Sequence, residues 1–393
     1  MKKRIFSILL CCVMLAGLLP TVALAAGDVK YLDDKGVEQT HTGSYTEITA
    51  TDTPIAWTAG WYVVNGNVTI GTEETPLRVT VSGDVRLILT DGCTLTVNGG
   101  IQVQDDDNDI TNGSANALTI YAQSTDKSTM GELIAKGAED DYNAVIGGNE
   151  GNGYGGSGGA ITINGGVVKA TNTGGAGIGG GFGDYGGSGG EVTITGGTVT
   201  ATGNASGQTF SSSAAGIGGG RYNFSSGSAG TFQTNNGNAV IFASSIGDQS
   251  HKDDWSGIIF EGDEGKVYGN PTLADDLTIP ENKALDIPSG KTLTVNSTIT
   301  VQGTLTNNGT IIGSGSITPD AKKLTYKAAP STPVIDSVSA DSITLRPITG
   351  ETAVEYSKDN TNWQSGTTFS GLTAATSYTF YARYQANGFY KGA

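Results

Sequence analysis

Cysteine is almost absent from this 393-residue chain: there are three, and two of them, Cys11 and Cys12, lie inside an N-terminal apolar run. With that run removed, Cys93 has no partner within the chain, which excludes a disulfide scaffold and a cysteine zinc centre. Basic residues are scarce as well, 22 Lys and Arg against 38 Asp and Glu, a balance that disfavours nucleic acid and anionic lipid as partners. Apolar runs of spanning length are missing too. The one candidate, Ile5 to Leu19, follows Met1-Lys2-Lys3-Arg4 and stops at Pro20. With Ala23-Leu24-Ala25 after it, the pattern is that of a signal peptide over 1–25. The residues before Cys11 and Cys12 are not the small ones that lipoprotein processing requires, so both cysteines leave with the leader. The mature chain is expected to begin near Ala26, with a net charge of −19 and no transmembrane segment, and to be secreted, extracellular or wall-associated.

What is abundant is glycine, 61 residues without a Gly-X-Y period, among alternating Val, Ile and Thr. Ala160-Ile161-Thr162-Ile163-Asn164-Gly165-Gly166-Val167-Val168-Lys169-Ala170 repeats as Glu191-Val192-Thr193-Ile194-Thr195-Gly196-Gly197-Thr198-Val199-Thr200-Ala201, offset by 31 residues. The same offset carries Tyr154-Gly155-Gly156-Ser157-Gly158-Gly159 onto Tyr185-Gly186-Gly187-Ser188-Gly189-Gly190, and a weaker third copy begins at Ala215. Each repeat holds three short strand-like pieces, so the coil has three sides. Alternation sets Ile161, Ile163, Val168, Ala170 and Ile178 on one face, with Val192, Ile194, Val199, Ala201 and Ile217 one repeat later. No single coil buries its own apolar face, so the core exists only in the stack. The expectation is an all-β fold, a three-sided right-handed parallel β-solenoid.

Less regular alternation over 57–135 extends the solenoid upstream, giving it the span 57–257. Trp57, Trp61 and Tyr62 are expected to cap its first coil, and the polar segment 26–56 to be loosely ordered. Downstream, over 258–327, apolar positions step by eight from Leu277 to Leu293 and then by six through Ile299, Leu305, Ile311 and Ile317. Six residues per side is the spacing of a compact triangular coil, a second short solenoid segment. A linker at 328–333, rich in Ala and Pro, leads to a partial β-sandwich over 334–393.

Gly60-Trp61-Tyr62-Val63-Val64, Leu87-Ile88-Leu89-Thr90-Asp91-Gly92-Cys93, the Ile-Gly-Gly turns and the repeated I-T-I-x-G-G-x-V units resemble exported β-helix repeat proteins of Gram-positive, gut-type bacteria. Leu372 to Tyr378 resembles the tyrosine corner of a fibronectin type III domain. The resemblance implies a surface protein, with carbohydrate binding among its relatives and wall anchoring by a tail that this sequence does not display.

Two side-chain groups carry candidate chemistry. Tyr154 and Tyr185, one coil apart, with Tyr222 or Phe224 continuing the row, would form an aromatic platform for sugar rings of a polysaccharide or of a host or wall glycan; equally, they would pack down their own loops. Asp105, Asp106, Asp107 and Asp109, with Asp140 and Asp141, offer hard oxygen ligands for calcium, against the alternative of a solvated acidic loop. For catalysis, Arg78 and Arg86 are the strand-borne bases, while His41 and His251 are isolated in polar surroundings. The sequence is therefore read as non-enzymatic: an adhesive carbohydrate-binding module, a structural stalk as the alternative, and a polysaccharide lyase or glycosidase behind both.

Overall fold

The computed structural model describes residues 24–50, 55–104, 116–126, 128–138, 141–171, 174–203, 214–225, 227–234, 237–319, 324–325, 330–348 and 354–384. Residues 1–23, most of the segment 1–25 expected to be a signal peptide, and residues 105–115 of the acidic loop lie outside them. Among the described residues there is no α-helix, only one 3-10 turn at Lys252–Asp254. The chain divides into two compact units, Met1–Phe232 and Gln233–Ala393.

In the first unit, parallel strands stack in three rows, one per side of the coil. One row holds Ile55–Val64, Val79–Leu89, Ala117–Ala122, Ala160–Ile163 and Glu191–Ile194. The next holds Asn67–Ile70, Thr94–Asn98, Glu132–Lys136, Val167–Thr171 and Thr198–Thr202. The last holds the short Ile101–Gln102, Ile146–Gly147, Ile178–Gly179 and Ile217–Gly218, and starts from the N-terminal half of Val79–Leu89. That long strand serves two rows because it turns a corner at Gly83, whose φ of 78° a side chain would resist.

The 31-residue offset is the register of the stack: Ile161 pairs with Val192, Ile163 with Ile194, Val168 with Val199 and Ala170 with Ala201. All eight are buried, and each large aliphatic removed from water contributes about 1.5–3 kcal/mol. Ile178 pairs with Ile217, 39 residues on, so the third copy is weak because its coil carries an insertion between Gly203 and Ala214.

The segment expected to be loosely ordered is instead an antiparallel hairpin, Leu24–Leu32 with Glu38–Ile48. Its turn is closed by Asp33, whose Oδ1 accepts from the N–H groups of Lys35 and Val37, each at 2.9 Å. The hairpin's second strand adds in parallel to the end of Ile55–Val64, pairing with Tyr62 to Val64. Of the three aromatics expected to cap the first coil, Trp57 and Tyr62 are buried and stack on each other at 5.6 Å. Trp61 points to the outer side of the sheet, where it meets Tyr31 at 5.1 Å, Tyr121 at 5.6 Å and His41, stacked at 4.4 Å. His41 is therefore a packing residue and not an isolated surface histidine. Val29, Val63 and Ile88 form the buried centre of this cluster.

In the second unit, Val240–Ala243 lies parallel to Gly257–Glu261, which reverses at Gly262 into the antiparallel Glu264–Tyr268. Beyond the reversal three parallel rows form again. They are Glu264–Tyr268, Ala284–Ile287, Thr304–Asn307 and Leu324–Thr325; Thr272–Leu273, Thr292–Val295 and Thr310–Ile312; and Leu277–Ile279, Thr298–Val301 and Ser316–Pro319. Thr292 pairs with Thr310 and Ile299 with Ile317, so one turn takes 18 residues, three sides of the six seen in the sequence. Leu277, Leu285, Leu293, Ile299, Leu305 and Ile311 fill the core. Residues 334–384 form a partial β-sandwich: Ile335–Val338, Ser342–Leu345 and Thr368–Ser370 in one sheet, Val354–Ser357 with Tyr381–Tyr384 in the other. The Tyr378 hydroxyl accepts from the Thr373 N–H at 2.8 Å, the tie-back expected of that tyrosine.

Candidate functional site: an aromatic ladder on a glycine wall

Each coil of the third row runs from its Ile-Gly pair into a glycine-rich loop, and three such loops stack: 147–159, 179–190 and 218–230. They are not loose. The Gly156 N–H donates to Asn149 O, the Gly181 N–H to Gly156 O, the Gly187 N–H to Gly181 O and the Gly220 N–H to Gly187 O, at 2.7 to 2.9 Å. The bonds alternate between the two limbs of one loop and the neighbouring loop, so outgoing and returning backbone form a single wall. Glycine is required here by approach rather than by φ. A Cβ on Gly181 would collide with Asn149 O, and one on Gly187 with Gly156 O.

Arg78 fixes the base of the wall. Its Nε donates to Asn149 Oδ1 at 2.8 Å, Nη1 to Gly99 O at 3.0 Å, and Nη2 to Ala144 O at 2.9 Å and Gly147 O at 3.3 Å. Burial lowers its pKa to about 10, with Asp141 opposing the shift, and it stays cationic at neutral pH. Gln104 assists, its Oε1 accepting from the Asn149 N–H at 3.2 Å. The sequence offered Arg78 as a base; the structure gives its donors to carbonyls and an amide. Arg86 is engaged too, paired with Asp84 and lying 5.4 Å from the Trp61 ring.

On this wall the predicted aromatics come together. Tyr154 and Tyr185 stack with centroids 4.9 Å apart and planes 18° apart, and Phe224 follows Tyr185 at 6.3 Å, tilted by 52°. All three are exposed, at 70%, 44% and 74%. Tyr222 is half-buried and pairs through its backbone with Gly183, and past a register shift Tyr185 pairs with Ser225 while its ring meets that of Phe224. Of the two candidates for the third rung, Phe224 takes it. Around the rings, Asp184 accepts from Asn223 Nδ2 at 3.0 Å, Glu150 is turned to solvent, and Arg221 is buried.

Asp105, Asp106, Asp107, Asp109 and Asp140 lie outside the described residues. Asp141 is described, and its Oδ1 accepts from the backbone and side-chain nitrogens of Asn143. Among the described residues no group of three or more His, Cys, Asp or Glu is placed to hold a metal ion. Ser250, His251 and Asp248 meet in the second unit without the order of a nucleophilic triad. The Ser250 hydroxyl donates to Asp248 Oδ1 at 2.6 Å, and His251 Nδ1 lies 2.9 Å from the same hydroxyl and 3.7 Å from Asp248.

A family model described as Beta helix repeat matches residues 161–182 and 192–221. The chain carries β-helix repeats. No curated protein and no solved structure matches it. The matched β-helix segments take in strands of the three rows and leave out Tyr154, Tyr185, Tyr222 and Phe224, so the match describes the coil and not the ladder on it. No helix among the described residues is long and apolar enough to cross a membrane.

Proposed function

We propose that this β-helix repeat protein is a non-enzymatic, adhesive carbohydrate-binding module acting outside the cell, and that the ladder of Tyr154, Tyr185 and Phe224 is its glycan contact. The observation that carries the proposal is the ladder itself: three exposed rings in consecutive coils, held on backbone that is hydrogen-bonded at every coil. Rings that only pinned their own loops would be covered by them, and these are not. Because the wall is rigid, little ordering entropy is lost when a ligand settles on it. Sugar rings present C–H faces and hydroxyls together, which suits exposed aromatic rings that at Tyr154 and Tyr185 also carry phenolic hydroxyls.

The second solenoid suits the other role, that of a spacer. Its outward positions are short and polar, Thr278, Thr298, Thr300, Ser316 and Thr318 on one side, with Thr318 and Thr300 hydroxyls 3.4 Å apart. The partial sandwich that follows is read as fibronectin type III-like on its Tyr378 tie-back. Pull-down on insoluble polysaccharides and a glycan array, using the mature chain and a Tyr154→Ala/Tyr185→Ala variant with an unchanged circular dichroism spectrum, tests the proposal. Retention lost in the variant supports it. Equal retention of the two proteins refutes it.

A further inference from the structure

We propose that the ligand of the ladder is an extended glycan of at least three pyranose units lying along the solenoid axis, uncharged or amino-bearing, and not a uronate or a sulfated chain. This rests on the carbohydrate-binding reading above and adds the ligand's direction, length and charge.

Direction and length follow from the rings. Each rung comes from a successive coil, so the ladder runs with the stack, in steps of 4.9 and 6.3 Å. The near-parallel Tyr154 and Tyr185 cover each other's inner faces, and no sugar slides between rings already in contact. What they offer is a staircase of edges and hydroxyls, ending on the tilted and largely exposed Phe224. A ligand that uses the staircase crosses all three rungs. A single sugar uses one.

Charge follows from the loops that carry the rings. Glu150 and Asp184 lie in the loops that carry Tyr154 and Tyr185, and the arginines bonded to or lying in these loops, Arg78 and Arg221, are withdrawn from solvent. Arg78 spends its donors on Asn149, Gly99, Ala144 and Gly147, and Arg221 is only 3% exposed. Lys169 belongs to another row, where it pairs with Glu132 at 2.6 Å. A carboxylate or sulfate on each sugar would meet like charge at the first two coils, with no cation among the described residues of these loops turned to answer it, whereas an ammonium would be attracted.

Calorimetric titration of the mature chain with three oligosaccharide series of one to six units provides the test: neutral chito-oligosaccharides, their deacetylated amino forms, and oligogalacturonates at low salt. Affinity for the neutral or amino series should rise by roughly three- to tenfold per unit up to three and then flatten. Tyr185→Leu and Phe224→Ala should each remove most of that rise, and oligogalacturonates should not bind. Affinity independent of length, or oligogalacturonate binding as tight as the neutral series, overturns this inference while leaving glycan binding in place. Absence of binding to all three series, and to the polysaccharides of the preceding test, overturns both.

Discussion

At the scale of single residues, Arg78 ties together backbone that the sequence leaves apart. The guanidinium of Arg78 holds four acceptors in segments that lie far apart in sequence, Gly99, Ala144, Gly147 and Asn149. Arg78→Met leaves buried carbonyls without donors, and urea denaturation is expected to show a loss of about 2–3 kcal/mol. Arg78→Lys should not restore it, because one ammonium does not span a planar fork. Asp359 supplies a pH dependence. Its carboxylate accepts from Asn362 Nδ2 and the Asn362 N–H, and from the N–H and hydroxyl of Thr361, and these bonds hold its pKa below the ordinary carboxylate value. A depressed folded pKa gives stability that is present above the unfolded carboxylate pKa and lost as pH falls toward the folded one. Acid titration followed by Trp363 fluorescence should therefore show the 354–384 sheet loosening at low pH, and Asp359→Asn should flatten that dependence.

At the scale of elements, the strands were legible in sequence and the glycine loops were not. Alternation in Ile161-Thr162-Ile163 and Val168-Lys169-Ala170 is a direct image of one buried and one open face, so periodicity found the rows. The rungs Tyr154 and Tyr185 were found by the offset that sets the strand register. The hairpin over 24–48 was missed because few of its side chains are buried, Val29, Leu32 and Ile48, and the one local signal was the turn Asp33-Asp34-Lys35-Gly36. Composition does not separate a glycine that turns a corner from one that lets two backbones touch. Gly187 is of the second kind, so Gly187→Ala has to push the wall apart. The expected cost is about 1–3 kcal/mol, with faster amide exchange at Gly181 and Gly220 than at the strand residues Ile161 and Val192. Uniform exchange across both sets would show that the substitution does not push the wall apart.

At the scale of the whole molecule, each solenoid is a stack of coils held mainly by strand pairing between neighbours, so stability is expected to grow coil by coil. Deleting residues 160–190 removes one complete turn and brings Glu191 to the place of Ala160, against Ala117. The shortened protein should fold, with a lower Tm and an unchanged type of circular dichroism spectrum, and should lose Tyr185 from the ladder. Deleting 160–174, half a turn, puts every later strand on the wrong side and should give no cooperative transition.

The wall of glycine peptides has one more property. Gly220, Gly187, Gly181 and Gly156 each give an N–H to the carbonyl of the next, ending on Asn149, and Gly187, Gly181 and Gly156 each also accept at their own carbonyl. Each of these three residues is thus bonded on both sides, and the three loops are linked without a break. A side chain forced in at any one of them therefore disturbs the loop before it and the loop after it.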